Sequence, residues 1–314
     1  MKIIFIGTGK FGSIVLSKLL KSKYKPDIVV CAYDKPVGRS QELCACETKQ
    51  VATENKIEVL ELDTVKEEKN IKKIVSLKSD LIIVADTNFI LPKEVLDLPK
   101  HGCLNIHPSL LPQYRGPSPI QSVIFWGKTE TGVTIIKMDE RIDHGPIVAK
   151  QKVSVIEGET FEGLRNKLAE AGADLLVKTL PDWVSGKINP LIQIDEDAIY
   201  TKKFEKEDGR IDWKNTADYI ERLVRALNPW PGTYTFFNRK EEIKRLKILK
   251  AKATDLEAKS FEEGKLTETQ EKKPAILCSQ GILLLEEVQV EGKNKMTGEE
   301  FLNGYHGLIG IKFE

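Results

Sequence analysis

MKIIFIGTGKFGSIVLSKLL, residues 1–20, is the stretch whose reading decides the fold. The apolar run KIIFIG ends in a turn carrying Gly7, Gly9 and Gly12, and a helical pattern, FGSIVLSKLL, follows at once. Strand, glycine turn and helix in that order open a doubly wound α/β sheet, and G-x-G-x-x-G is the spacing of a dinucleotide-binding turn. Asp34 ends the next strand-like run, IVVCAYD, where such a fold places an acid for a ribose. From these residues alone, a NAD-dependent oxidoreductase is an open reading.

The pattern continues beyond the turn. KIEVLEL, DLIIVAD and GCLNIH are further short runs, largely apolar on both faces, as in a buried parallel sheet. TKQVATEN and TVKEEKNIKKIVSLK read as helices between them. TGVTIIKMD and GPIVAKQKVSV follow as two more strands joined by ERIDH, and a long helix is expected from Thr160. The expectation is a doubly wound parallel, Rossmann-like domain over residues 1–188. Residues 189–205, which mix proline, acids and lysines without period, read as a linker. Residues 206–314 begin with a helix around NTADYIERLVRAL, stopped by NPWPG, and continue with TYTFF, RLKILKA, GKLTE, AILCS and ILLLEEVQV. Several short strands with turn residues between them predict a small OB-like β-barrel.

Composition narrows the function classes. With 314 residues, 41% apolar and 30% charged, the chain can bury two ordinary cores. A net charge of +1 announces no overall basic surface. No apolar run is long enough to span a bilayer. Five scattered cysteines suit free thiols in a reducing cytoplasm. Cys44 and Cys46 lack a second ligand pair at zinc spacing, and His101, Cys103 and His107 lack a fourth ligand, so no metal is expected. No serine sits in G-x-S-x-G.

Chemistry concentrates at the end of the fifth strand. Asn105 and His107 are two apart and leave the strand on one face, and Pro108 breaks it just where an open sheet binds ligands. Asp143 lies in the ERIDHG loop, free to reach across. An amide donor, an imidazole and a carboxylate are the minimum set for acyl transfer to an amine. The plain alternatives are a satisfied polar pair for Asn105 and His107, and a turn former for Asp143.

Longer segments favour the chemical reading. NIHPSLLPQYRGPSPIQ and, downstream, GVTIIKMDERIDHGPI resemble the folate-dependent formyltransferases, supported by DKPVGR at 34–39, FILPKEVL at 89–96, RIDW and NPWPG. The resemblance is best to the branch that formylates the methionine of initiator Met-tRNA. It implies that Asn105, His107 and Asp143 are the catalytic trio. It also implies that Ser109, Leu110, Leu111 and Pro112, with Phe89, Ile90 and Leu91, line the site of the co-substrate 10-formyltetrahydrofolate. Where the family often has Ala-aromatic-Gly, this chain has Asp86-Thr87-Asn88.

On the acceptor side the resemblance makes Phe11 an apolar contact and Arg39 a basic contact to the tRNA, with Arg115 nearby. Lys244 and Lys247, within RKEEIKRLKILKAK, are expected on a phosphate-tracking face of the second domain. A monomeric cytoplasmic enzyme follows, using initiator Met-tRNA and tetrahydrofolate, without DNA or membrane. A nucleotide-linked amino sugar or another small amine stays open as the acceptor.

Overall fold

The structure is a computed structural model, and it describes residues 1–37, 42–240, 242–255 and 262–314. Its first sheet is built from β1 (Ile3–Ile6), β2 (Ile28–Ala32), β5 (Glu58–Leu62), β6 (Leu81–Val84), β7 (Cys103–His107), β8 (Glu130–Lys137) and β9 (Ile147–Ser154). A small hairpin of β3 (Lys35–Val37) and β4 (Glu42–Cys44) lies outside it. Strand order in the sheet is β5-β2-β1-β6-β7-β8-β9. The helices are α1 (Lys10–Leu19), α2 (Glu47–Glu54), α3 (Glu68–Ser76), α4 (Lys93–Leu96), α5 (Pro119–Phe125) and α6 (Phe161–Val184).

The first five strands of this order are parallel, as the buried apolar runs imply. All four residues of β1 are buried, each side chain worth roughly 1.5–3 kcal/mol of transfer free energy. Ile4 and Ile6 join Val30, Ile82 and Val84 in one core layer with Ile74 and Val95 from the helices. Phe5, Val29 and Ile83, which alternate with them, are equally buried, so both faces are covered.

The sheet is parallel except at one edge. β7 pairs with β8, and β8 with β9, in antiparallel fashion. The loop between β8 and β9 is too short for a crossover, which a parallel return would need. A mixed sheet results. α6 lies close over β7: a Cβ on Gly172 would come 2.7 Å from Ile106 Cγ2.

The chain forms two compact units, one of Met1–Pro119, Glu130–Val155 and Glu162–Thr201, the other of Ile120–Thr129, Ile156–Phe161 and Lys202–Glu314. Residues 191–201, within the stretch read as a linker, are hydrogen-bonded into the first unit. Leu191 exchanges backbone bonds with Ile147, and Tyr200 bridges Arg115.

The second unit holds α7 (Ala217–Leu227), β10 (Thr233–Arg239), β11 (Glu242–Thr254), β12 (Leu266–Glu268), β13 (Pro274–Leu277), β14 (Ile282–Val290), β15 (Met296–Thr297) and α8 (Gly298–Gly304). Thr216 caps α7, its hydroxyl accepting from Tyr219 N. The sheet runs β10-β11-β14-β13-β12, all antiparallel. Residues 310–314 pair on one side with Leu266 and Gly264 and on the other with Phe236, which closes the sheet into a small barrel. Its core includes Phe237, Leu246, Ile248, Leu283, Phe301 and Phe313. The strand β15 and helix α8 have no counterpart in the sequence reading. Arg225 Nη1 donates to Glu159 O at 2.8 Å and Phe125 packs edge-on to Tyr219, which ties both earlier segments into this unit.

Candidate active site

Three groups meet at the carboxyl end of β7. Residues of alternating parity leave a strand on opposite faces, so Asn105 and His107 share one. Asp143 reaches them from the loop after β8, with φ +50°, a left-handed conformation that aspartate tolerates better than most residues. Its Oδ1 accepts from Asn105 Nδ2 at 3.3 Å and lies 3.4 Å from His107 Nδ1. Its Oδ2 accepts from Gly116 N at 2.8 Å. The other imidazole nitrogen, Nε2, lies 2.9 Å from Tyr114 O. A carbonyl can only accept, so Nε2 carries a hydrogen and Nδ1 is the nitrogen turned to the carboxylate.

The turn after β7 is built to allow this. Tyr114 has φ +60° and Gly116 φ +102°, so that a carbonyl and then an N–H face the site. For a bulky residue that conformation is costly and persists only where its surroundings hold it. Thr134 supplies part of the hold: its hydroxyl donates to Ser109 O at 2.7 Å and accepts from Leu111 N at 3.1 Å. Lys150 donates to Leu111 O at 2.6 Å, and burial lowers the pKa of its ammonium.

Not every residue expected at the folate site presents its side chain there. Ser109 is fully buried and its hydroxyl donates to Gln113 O, while Leu111 lies in a small core with Ile136 and Ile147. Leu91 is core as well. Leu110, Pro112 and Phe89 are half-buried and Ile90 is exposed, and these keep apolar surface available. Phe11 is buried in the first turn of α1, within van der Waals reach of Gly172.

Arg115 is corrected more sharply. Its side chain is 1% exposed, with the guanidinium donating to Gln193 Oε1, Asp195 Oδ1 and Tyr200 Oη. That guanidinium also holds the Asp195 carboxyl below the usual carboxylate range. Gln193 in turn donates to the carbonyls of Asp143 at 2.9 Å and Gly145 at 2.8 Å. Arg115 therefore braces the Asp143 loop through Gln193 and presents no free cation to an acceptor. Sequence reasoning missed Gln193, because a glutamine in an irregular stretch carries no periodic signal. Lys244 and Lys247 lie three apart on β11 and face opposite sides of it. A bulge between Ile248 and Lys250 then brings Lys250 and Lys252 to the outward face of Lys247. Arg39 lies outside the described residues.

The glycine turn that suggested a dinucleotide is already filled. A Cβ on Gly7 or Gly12 would come 2.5 or 2.6 Å from Ala85 O. Asp86 O accepts from Thr8 N and Gly9 N, and Asp86 Oδ2 accepts from Phe11 N at 3.0 Å. A protein carboxylate thus stands at the start of α1, where a dinucleotide fold would hold pyrophosphate. Asp34 is paired with Lys49 at 2.7 Å. Among the described residues no three His, Cys, Asp or Glu side chains gather as a metal site, and no helix is long and apolar enough to cross a membrane.

Residues 1–180 match the family model described as formyl transferase, and residues 203–306 match formyl transferase, C-terminal domain. A methionyl-tRNA formyltransferase of Bacillus pumilus (strain SAFR-032) is 41% identical over 313 residues, spanning 99% of this chain and 97% of the relative. The chain belongs to the methionyl-tRNA formyltransferase family. A second member of that family, from Bacillus subtilis (strain 168), is 38% identical over 311 residues, spanning 98% of this chain and 96% of the relative. Among solved structures, an N-formyltransferase from Helicobacter canadensis in complex with folinic acid and dTDP-3-aminofucose superposes with a TM-score of 0.63. It is 20% identical and covers 91% of this chain and 98% of that one. HypX from Aquifex aeolicus in complex with tetrahydrofolic acid gives 0.64 at 20% identity, covering 98% of this chain and 48% of the other. At such identity these two speak for the fold alone.

Proposed function

We propose that the protein transfers the formyl group of 10-formyltetrahydrofolate to the α-amino group of methionine on initiator Met-tRNA. The observation that carries the mechanism is the convergence of Asn105 and His107 on the Asp143 carboxylate at the carboxyl end of β7.

Formyl transfer joins the amine nitrogen to the formyl carbon, breaks the bond from that carbon to N10, and moves one amine proton to N10. Negative charge gathers meanwhile on the formyl oxygen. Asn105 supplies an amide donor to that oxygen, aligned before substrate arrives by its bond to Asp143, and His107 adds its Nε2–H by releasing Tyr114 O; one such donor is worth ~3 kcal/mol. Asp143 holds both donors and accepts from the attacking amine. The half-buried Leu110, Pro112 and Phe89 and the exposed Ile90 fit a flat, polar-edged pterin, packing its faces while loop backbone meets its edges.

The second unit supports an RNA acceptor. Tyr234 and Phe236 face outward on β10, opposite Lys247 and Arg245 on β11. Arg245 lies over Tyr234 and Arg210 over Phe236, 5.8 and 5.6 Å from the ring centroids. Alternating rings and cations suit stacked bases and phosphates.

The test is His107→Ala with labelled 10-formyltetrahydrofolate and Met-tRNA. Formyl transfer should fall by about 10³-fold or more while thermal melting holds; normal turnover would overturn the mechanism. Offering a nucleotide-linked amino sugar in parallel decides the acceptor. Preferential labelling of the sugar would overturn the tRNA reading.

A further inference from the structure

The first sheet also carries a concavity whose wall shares Phe89 and Ile90 with the pterin contacts assigned above and extends from them toward β1, β2 and β5. It has a volume of about 420 Å³ and lies beyond the carboxyl ends of β1, β2 and β5, under the loop that follows β6. Thr8, Tyr33, Asp63, Thr64, Asn88 and Phe89 contribute to its wall, and none of the catalytic trio does. That size suits a small ligand.

Its chemistry is specific. Tyr33 is 51% exposed, an aromatic face open to stacking. Asp63 Oδ1 accepts from Thr64 N at 2.8 Å and from Asn70 Nδ2 at 2.9 Å, which fixes the carboxylate and leaves Oδ2 for a ligand donor. The Thr64 amide leads the causes that hold the Asp63 carboxyl below its ordinary range, so it accepts as an anion at neutral pH. Thr8 and Asn88 offer a hydroxyl and an amide between this acid and β7.

Spacing relates the cavity to the site. In the order β5-β2-β1-β6-β7, one strand separates β7 from β1, about 10 Å at ~4.8 Å per strand. An aminoacyl ester with its ribose spans such a gap, and the attached base then lies over β2 and β5.

We propose that this cavity seats the 3′-terminal adenosine of the formyl acceptor, its base against Tyr33 with the 6-amino group donating to Asp63, and its ribose beside Thr8 and Asn88. The aminoacyl ester on that ribose then points toward His107. The assignment rests on the tRNA reading above.

AMP is the probe, titrated calorimetrically into the full chain, with IMP, dTDP and folinic acid as comparators. IMP carries a carbonyl in place of the 6-amino group, so wild type should bind AMP at least tenfold more tightly than IMP. Asp63→Asn, whose amide can donate to that carbonyl, should erase or reverse the preference with melting unchanged. Tyr33→Ala should weaken AMP at least tenfold and raise KM for Met-tRNA by a similar factor, with kcat within threefold. AMP should compete with Met-tRNA and leave KM for the formyl donor unchanged. Equal binding of AMP and IMP, competition with folinic acid, or tighter binding of dTDP would each overturn the assignment. If Met-tRNA is formylated but AMP and IMP bind alike, the cavity assignment fails alone. If AMP is preferred but Met-tRNA is not formylated, the acceptor reading fails, and the cavity remains an adenine site with no link to the reaction.

Discussion

The turn after β1 and the segment after β7 sit at the same level of one sheet and differ in what fills them. The first satisfies every local rule for a dinucleotide: strand before, helix after, three glycines, an acid downstream. Its glycines nevertheless admit the backbone of Ala85, and its helix N-terminus holds Asp86. The second carries a weaker signal, an Asn and a His two apart, yet there two side chains converge on a single carboxylate. A glycine pattern specifies how closely backbones approach, whereas chemistry depends on where side chains end.

That contrast can be broken from either side. The largest effect is expected at β7. Asn105→Ala removes one donor and should lower kcat by about 10²–10³-fold with little change in melting temperature; a kcat within threefold of wild type would return Asn105 to a structural role. On the turn side the expected effect is stability. Gly12→Ala would gain roughly 1 kcal/mol if only helix propensity mattered. The clash with Ala85 O should reverse the sign, destabilising by about 1–3 kcal/mol in urea unfolding. A stabilised variant would show that the turn has slack for another group.

A smaller loss, ~1 kcal/mol, is expected from Asp86→Ala, which leaves Phe11 N without its carboxylate. Unchanged unfolding would mean that water replaces it fully. The last effect is on reactivity. Cys46 stands just before α2, the helix whose Thr48 donates to Gly7 O, and a hydrogen bond from Cys31 brings its thiol down to about 6. The thiolate fraction rises with pH through that value. Alkylation of Cys46 by iodoacetamide should therefore climb between about pH 5 and 7 and then level off. A rate still rising steeply at pH 8 would remove the Cys31 contact.

The parallel strands were legible because runs such as LIIV and IVVCA stay apolar through both parities, as burial on two faces demands. The reversal at β8 was not, since direction is set by loop length and partner together. Asn105, His107 and Asp143 could be named from strand parity, a proline and a resemblance. Asp86 could not be understood that way: it caps a helix 75 positions earlier in the chain. Arg115 misled for the same reason, its partners lying 78 to 85 positions away. The outward cations of β11 depend on a bulge that no alternation pattern shows.

The brace on the Asp143 loop has a practical meaning for anyone who would divide the molecule. A cut placed where composition changes, near residue 188, would remove Gln193 and Asp195 and strand the Arg115 guanidinium in the interior without its acceptors. A buried cation without a counter-charge is among the most damaging things a fold can contain. Any transplanted or chimeric version of the first unit must therefore carry the chain through Thr201. Where one module ends and the next begins is marked here by the reach of one arginine.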